Sequence, residues 1–321
     1  MGLKIEGEAI KDYNIRGEIS VRELIEQMRD AWGFTAEKIA SGVDILKSMF
    51  ADEGCVKFLS FPGSIVATGV RGVIKEMVKQ GLADVIITTC GALDHDLARS
   101  WKKYYRGSFD FDDRELHRRG INRLGNILVP NESYGLIIEE KMQELMSELW
   151  KEGRREISSK ELCWEMGKRI CAEDSILYWA SKRQVPVYVP GVVDGAVGYH
   201  IWLFSQDHNF KIDLLRDEKE LNDIIFDSEK TGAIVIGGGI SKHHVIWWNQ
   251  FRGGLDYAVY ITTAVEWDGS LSGARVREAI SWGKVKEAAK HVTIEGDATV
   301  ILPLMVAAIL SEENVKRKHL G

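Results

Sequence analysis

TGAIVIGGGISKHHVIWWNQFRGGLDYAVYITTAVEWDGSLSGARVREAISWGK, residues 231–284, holds the pattern on which the fold turns. Residues 233–236 form a short apolar run that breaks into Gly237-Gly238-Gly239, and Ser241 is placed to cap a helix carrying Lys242, His243 and His244. Residues 257–261 form a second run, which breaks into Thr262-Thr263-Ala264. A strand that feeds glycines and then a helix start brings backbone N–H groups to where a phosphate can be met. The triplet lacks the GxGxxG spacing, so alone it is weak evidence for a dinucleotide.

Outward from this stretch a rhythm appears. Strands are predicted at 56–61, 84–89, 126–130, 185–189 and 292–295, in addition to the two above. Helices lie between them: one following Pro62-Gly63-Ser64 through about 79, a short one from about 94, a long one over 134–150, and one opened by Ser158 with Glu161. Val- and Ile-rich runs without polar alternation, alternating with helices, predict a doubly wound, Rossmann-like α/β fold with a mostly parallel sheet buried on both faces. All these strands but the third run into Gly, Thr or Asp within two or three residues. Ligands in such sheets bind beyond the carboxyl ends of the strands; each glycine taken alone is equally a tight turn. Before the first strand, Ser20 with Glu23 makes a capping-box signature, and residues 35–49 carry an apolar stripe. Residues 1–50 are therefore expected to be an amino-terminal helical extension of a single domain spanning 1–321.

Composition narrows the function. The chain has 321 residues, 45% hydrophobic, with a formal net charge of −6. No basic tract suits nucleic acid, and an acidic surface fits a cationic small molecule or a basic loop on a partner protein. Four cysteines without CxxC spacing read as reduced cytoplasmic thiols. The longest apolar run, 298–310, contains Pro303 and falls short of the roughly 20 residues a spanning helix needs. No membrane role and no metal are expected; Asp94-His95-Asp96 matches no common ligand spacing and reads as helix caps or a ribose contact.

Lys284 follows Ser281-Trp282-Gly283. A lysine is nucleophilic only when neutral, which an apolar aromatic setting favours; a lysine near a helix end is equally an ordinary solvated charge. Glu278 lies four residues before Trp282, so one helical face offers a carboxylate and an indole to an amine; an ordinary surface pair fits as well. His243 and His244 point about 100° apart on a helix, and His243, nearer the glycines, is the candidate for proton transfer. Of the adjacent Trp247 and Trp248, one is expected in the core and the other on a pocket wall. Asp194 and Asp297, just past strand ends, suit ribose hydroxyls or helix caps.

Together these motifs resemble the deoxyhypusine synthase family. The resemblance rests on GGGISKHH at 237–244, LDYAVYITTAVEWDGSLSGA at 255–274 and EAISWGK at 278–284, and extends to TTCGALDHDLARS at 88–100, GINRLGNILVPNESYG at 120–135, VPGVVDG at 189–195 and EGDATVILPL at 295–304. It implies an NAD-dependent transferase in hypusine biosynthesis. Such an enzyme oxidises spermidine, holds the aminobutyl group as an imine on Lys284 and passes it to one lysine of the translation factor 5A precursor. His243 would handle protons, and Glu278, Trp282, Trp247, Tyr199, Gly238, Gly269 and Leu271 would line the polyamine. The NAD contacts would be Gly63, Ser64, Ile65, Val66, Ala67, Thr89, Cys90, Gly91, His95, Asp194, Thr263, Ala264, Asp297 and Ala298. A homotetramer with sites at a dimer interface is implied too.

Several positions depart from the familiar eukaryotic pattern. Leu271 and Tyr199 stand where aspartates are found, Trp247 and Ser64 replace asparagines, and His95 replaces a glutamate. Archaeal members also carry WWNQ and DGSLSG. The loss of two carboxylates leaves open another donor or acceptor, such as agmatine or homospermidine synthesis, and a non-catalytic NAD-binding paralogue is the third reading.

Overall fold

The computed structural model describes residues 8–311; the first seven residues of the expected extension, and those after 311, lie outside the described residues. Six parallel strands make the central sheet: β1 (Cys55–Phe61), β2 (Val85–Thr88), β3 (Val187–Tyr188), β4 (Lys230–Ile236), β5 (Leu255–Thr262) and β6 (Val285–Glu295). Their spatial order is β6-β5-β4-β1-β2-β3. This is the order of the doubly wound dinucleotide fold, with its reversal between β1 and β4.

Alternate residues of each strand enter two different cores. Leu59, Ile234, Ile236, Val259 and Ile261 face one, with helices Phe34–Ala51, Val70–Lys79, Cys90–Trp101 and Ala298–Leu310. Phe58, Ala233, Val235, Ala258 and Tyr260 face the other, with helices Leu214–Asp227, Gly239–Gln250 and Val276–Ser281. A sheet covered on both faces has no polar side, which is why its strands lack polar alternation.

The helical layer before β1 is an integral part of the first core. Helix Val21–Ala31 starts at the expected capping box. Helix Phe34–Ala51 lies so close to β6 that a Cβ on Gly42 would stand 2.8 Å from Ile294 Cδ1 and 2.9 Å from Met305 Cε.

Three expectations are corrected. Residues 126–130 do not join the central sheet: Ile127–Pro130 pairs antiparallel with Ile121–Leu124 across a two-residue Gly125-Asn126 turn, in a small three-stranded sheet. Gly125 has φ +60°, the left-handed conformation such a tight hairpin requires. The single helix expected after Pro62-Gly63-Ser64 is two, Gly63–Val66 and Val70–Lys79, because Thr68 Oγ1 donates to the Ile65 carbonyl and accepts from Val70 N. Ser241 caps nothing. The helix starts at Gly239, with Gly238 as its cap residue, and Ser241 is buried inside the first turn. No helix among the described residues is long and apolar enough to cross a membrane.

Candidate active site

The carboxyl ends of β1, β4, β5 and β6 open onto a cavity of about 530 Å³ at the reversal of strand order. Of the sequence-expected cofactor residues, Ser64, Ile65, Thr263, Ala264, Asp297 and Ala298 line it, together with Gly237. Gly237 (φ +69°) and Gly239 (φ +74°) take backbone conformations that suit glycine, and Gly237 N donates to the Ile261 carbonyl. Gly238 is glycine for another reason: a Cβ there would stand 2.6 Å from Ser272 N.

The remaining candidates stand behind that wall. Thr89 Oγ1 accepts from Gly63 N at 2.9 Å, and a Cβ on Gly63 would meet the Gly91 backbone. Val66, Ala67 and Cys90 are buried, and burial pushes the Cys90 thiol up, with Asp94 adding to the effect. His95 Nδ1 lies 2.9 Å from Tyr104 Oη, and burial holds the ring down at about 4, so it is neutral near pH 7. Asp194 is exposed in the turn after β3. The flanking aspartates are caps, but of other helices. Asp94 accepts from Ala196 N, Val197 N and Tyr134 Oη. Asp96 accepts from Ile176 N and Leu177 N, and is paired with Arg71 at 2.6 Å. Asp297 caps helix Ala298–Leu310 through Thr299 N.

A second cluster stands on helices Gly239–Gln250 and Val276–Ser281. Lys284 owes its place to the way the second helix ends. Gly283 N donates to the Ile280 carbonyl and Lys284 N to the Ala279 carbonyl, with Gly283 at φ +66°. This is a Schellman ending, and it puts Lys284 at the start of β6, where its own carbonyl accepts from Leu255 N. The half-buried side chain carries its ammonium to 5.1 Å from the Trp282 ring centre, within cation–π range. His243 is exposed and stacks on Trp247 at 5.7 Å between ring centres. Partial burial, then the positive charge of Lys284, hold His243 below the usual histidine range. The imidazole is therefore neutral near pH 7 and placed in the field of the lysine.

His244 points the other way, 3.2 Å from Glu218, and Trp248 Nε1 donates to the same carboxylate. Of the tryptophan pair, Trp248 packs against the second core and Trp247 stays outside. Glu278 and Gly269 are exposed. Leu271 packs against the second core. Tyr199, 52% exposed on helix Ala196–Asp207, has its ring neighbours His200 and Trp202 on its own helix. The fold thus brings Lys284, Trp282, His243 and Trp247 together. No ring contact joins Tyr199 to them among the described residues.

The model of one family, deoxyhypusine synthase, matches residues 23–309. A Picrophilus torridus protein described as a probable deoxyhypusine synthase is 58% identical over 304 residues, covering 94% of this chain and 97% of its own. Relatives of the same description from Thermoplasma acidophilum (54%, covering 94% and 97%) and Ignicoccus hospitalis (48%, covering 95% and 96%) span the same extent. The chain belongs to the deoxyhypusine synthase family. It is thereby a member of a family of aminobutyl transferases. Among solved structures, an Entamoeba histolytica protein described in similar terms shares the fold, with TM-score 0.64 and 20% identity over 93% of this chain and 96% of its own. AgrE in ternary complex with ornithine and NAD+ shares the fold more loosely, with TM-score 0.51 and 10% identity over 88% of this chain and 36% of its own.

Two groups of residues escaped the sequence reading. Leu124, Gly125, Asn126 and Ile127 line the cavity from the small sheet. The Gly-Asn pair between two apolar runs was a hairpin signal that could have found them. Lys242 is 1% exposed and wholly inside the molecule. Nothing in its sequence setting separates it from a surface lysine.

Proposed function

We propose that this chain, acting as one unit over 1–321, is a deoxyhypusine synthase that forms its covalent intermediate at Lys284. The observation that carries the reading is the pairing of Lys284, under the Trp282 indole, with the neutral imidazole of His243. The cavity at the reversal of strand order fits a dinucleotide. It is walled by glycines, isoleucines and small side chains at four strand ends and by the hairpin at residues 124–127, with Asp297 and the exposed hydroxyl-bearing Thr263 in the lining. Ser64, Ile65, Gly237, Thr263, Ala264, Asp297 and Ala298 would hold NAD there. Bound NAD would supply the hydride acceptor for the amine donor and the hydride donor for the product imine.

The protein's own residues account for the rest. Glu278, exposed on the helix that leads to Lys284, would attract a polyamine that is cationic at neutral pH. Trp282 and Trp247 offer aromatic faces to its methylenes and charged ends. The Lys284 amine, once it has lost its proton, attacks the oxidised carbon of spermidine. The 1,3-diaminopropane portion leaves as the C–N bond breaks, and the aminobutyl group stays as an imine on Nζ. His243, neutral near pH 7, can take and return the protons of these steps. The incoming lysine of the translation factor 5A precursor displaces Lys284 from the same carbon, so the enzyme's amine is regenerated. The chain's net charge of −6 favours approach of a basic loop. Tyr199, whose ring neighbours lie on its own helix, would reach a polyamine across an interface in a homotetramer built of dimers.

Borohydride added to the oligomer with NAD and spermidine should leave a stable adduct that peptide mapping places on Lys284, and the precursor should gain the aminobutyl mass. An adduct elsewhere, or none with any polyamine, would overturn the assignment. Leu271 and Tyr199 offer no carboxylate to a distal amine, which favours a second reading with a different donor. Competition of agmatine against spermidine, read by the mass added, separates the two.

A further inference from the structure

Lys242 is among the most deeply buried side chains of the described residues, and the acceptors it meets there are two backbone carbonyls. Its Nζ donates to the Leu271 carbonyl and the Ala274 carbonyl, each at 2.7 Å, and stands 4.4 Å from the centre of the Tyr260 ring. The Tyr260 hydroxyl is buried with no hydrogen-bond partner among the described residues, so that side chain serves the site through its ring face. Burial pushes the lysine down to about 8, partly offset by the charge of Glu278 and reinforced by Arg275. Burying an ammonium is costly, and a methionine would fill the same space without that cost. The amine must therefore matter for what it holds.

It holds the joint between the two clusters. The segment 263–275 runs from the cavity wall out to exposed Trp267 and back, with Gly269 and Ser270 also exposed. It returns at Ser272, which lines the cavity and packs on Gly238, and leads into helix Val276–Ser281 and Lys284. The two carbonyls gripped by Lys242 bracket Ser272 and Gly273. His243, the next residue along, points about 100° away around the same helix and is exposed.

We propose that Lys242 is a positioning residue whose buried amine, bonded to the Leu271 and Ala274 carbonyls, sets the amine-binding helix and Lys284 in register with His243. The inference rests on the reading of Lys284 as the imine-forming lysine. The two fail differently: without that reading the unmodified enzyme traps no imine, whereas this inference is tested by variants of an enzyme that does.

Lys242→Met keeps the length and apolar stem and removes the donor. Trapping of the adduct on Lys284 with NAD and spermidine should slow about tenfold, the size of one charge-assisted hydrogen bond. Spermidine KM should rise while NAD affinity, by fluorescence titration, stays within about threefold, because most cavity residues lie on other strand ends. Lys242→Gln, which restores a neutral donor, should recover part of the rate, and it also serves where the methionine variant does not accumulate folded. Trapping at the unmodified rate overturns the proposal. So does loss of trapping, NAD affinity and melting temperature in step, since that marks a general packing defect.

Discussion

Gly283 gives Lys284 its place through a conformation that glycine adopts most readily. Its left-handed φ of +66° lets two backbone N–H groups turn back onto the Ala279 and Ile280 carbonyls, and the chain leaves the helix with Lys284 aimed at Trp282. Gly283→Ala should cost about 1–2 kcal/mol from the αL penalty, read as a lower urea midpoint. Adduct trapping on Lys284 should fall further than that loss alone explains, because the ending also aims the amine. The partner effect runs through charge. Lys284→Met should abolish trapping and also raise the His243 pKa toward the usual histidine value, because the positive neighbour that depresses it is gone. Titration of the His243 ring protons by NMR checks the direction; an unchanged pKa would mean that burial alone sets it.

At the scale of elements, the site depends on side chains that never touch it. Asp96 is 1% exposed, pairs with Arg71, and caps helix Ile176–Lys182 through two backbone N–H groups and Ser175. Asp96→Ala leaves a buried guanidinium with one exposed carboxylate, that of Asp174, and should cost about 3–5 kcal/mol, measured by chemical denaturation. Gly238→Ala acts on another contact, since its new methyl would collide with the Ser272 backbone. The glycine turn and the 263–275 segment would have to part. NAD affinity and adduct formation should therefore fall together, by about a hundredfold in kcat/KM, the size expected for an ångström-scale misplacement, while the urea midpoint changes little by comparison.

For the whole molecule, pH stability follows from two histidines that burial holds neutral. His95, with Arg99 adding to the effect, and His244, with His243 adding, are both pushed down to about 4. In the unfolded chain they would titrate near 6.5. Between those values the unfolded state binds protons that the native state refuses, so stability is full above about 6.5 and falls as pH drops toward about 4. Urea midpoints at pH 7 and pH 4.5 should differ in that sense, and His95→Gln should shrink the difference. A midpoint that holds steady across this interval would show that both rings find native partners when charged.

Much of this was legible in the chain. Parallel strands buried on both faces announce themselves as continuous Val and Ile runs, and the capping boxes at Ser20 and Ser158 were confirmed because a cap is a contact within four residues. The motif around Lys284 was legible by resemblance, and its geometry follows from one glycine in a local turn. Local chemistry is written locally, so sequence determined the strands, the glycine breaks, the caps and the family. Only the tertiary structure could decide that residues 126–130 leave the main sheet, that Asp94 and Asp96 cap helices about eighty to a hundred residues away, and that Lys242 turns inward while its neighbour His243 turns out. Each of these depends on a partner distant in sequence, and burial, unlike helix periodicity, is a property of what comes to lie opposite.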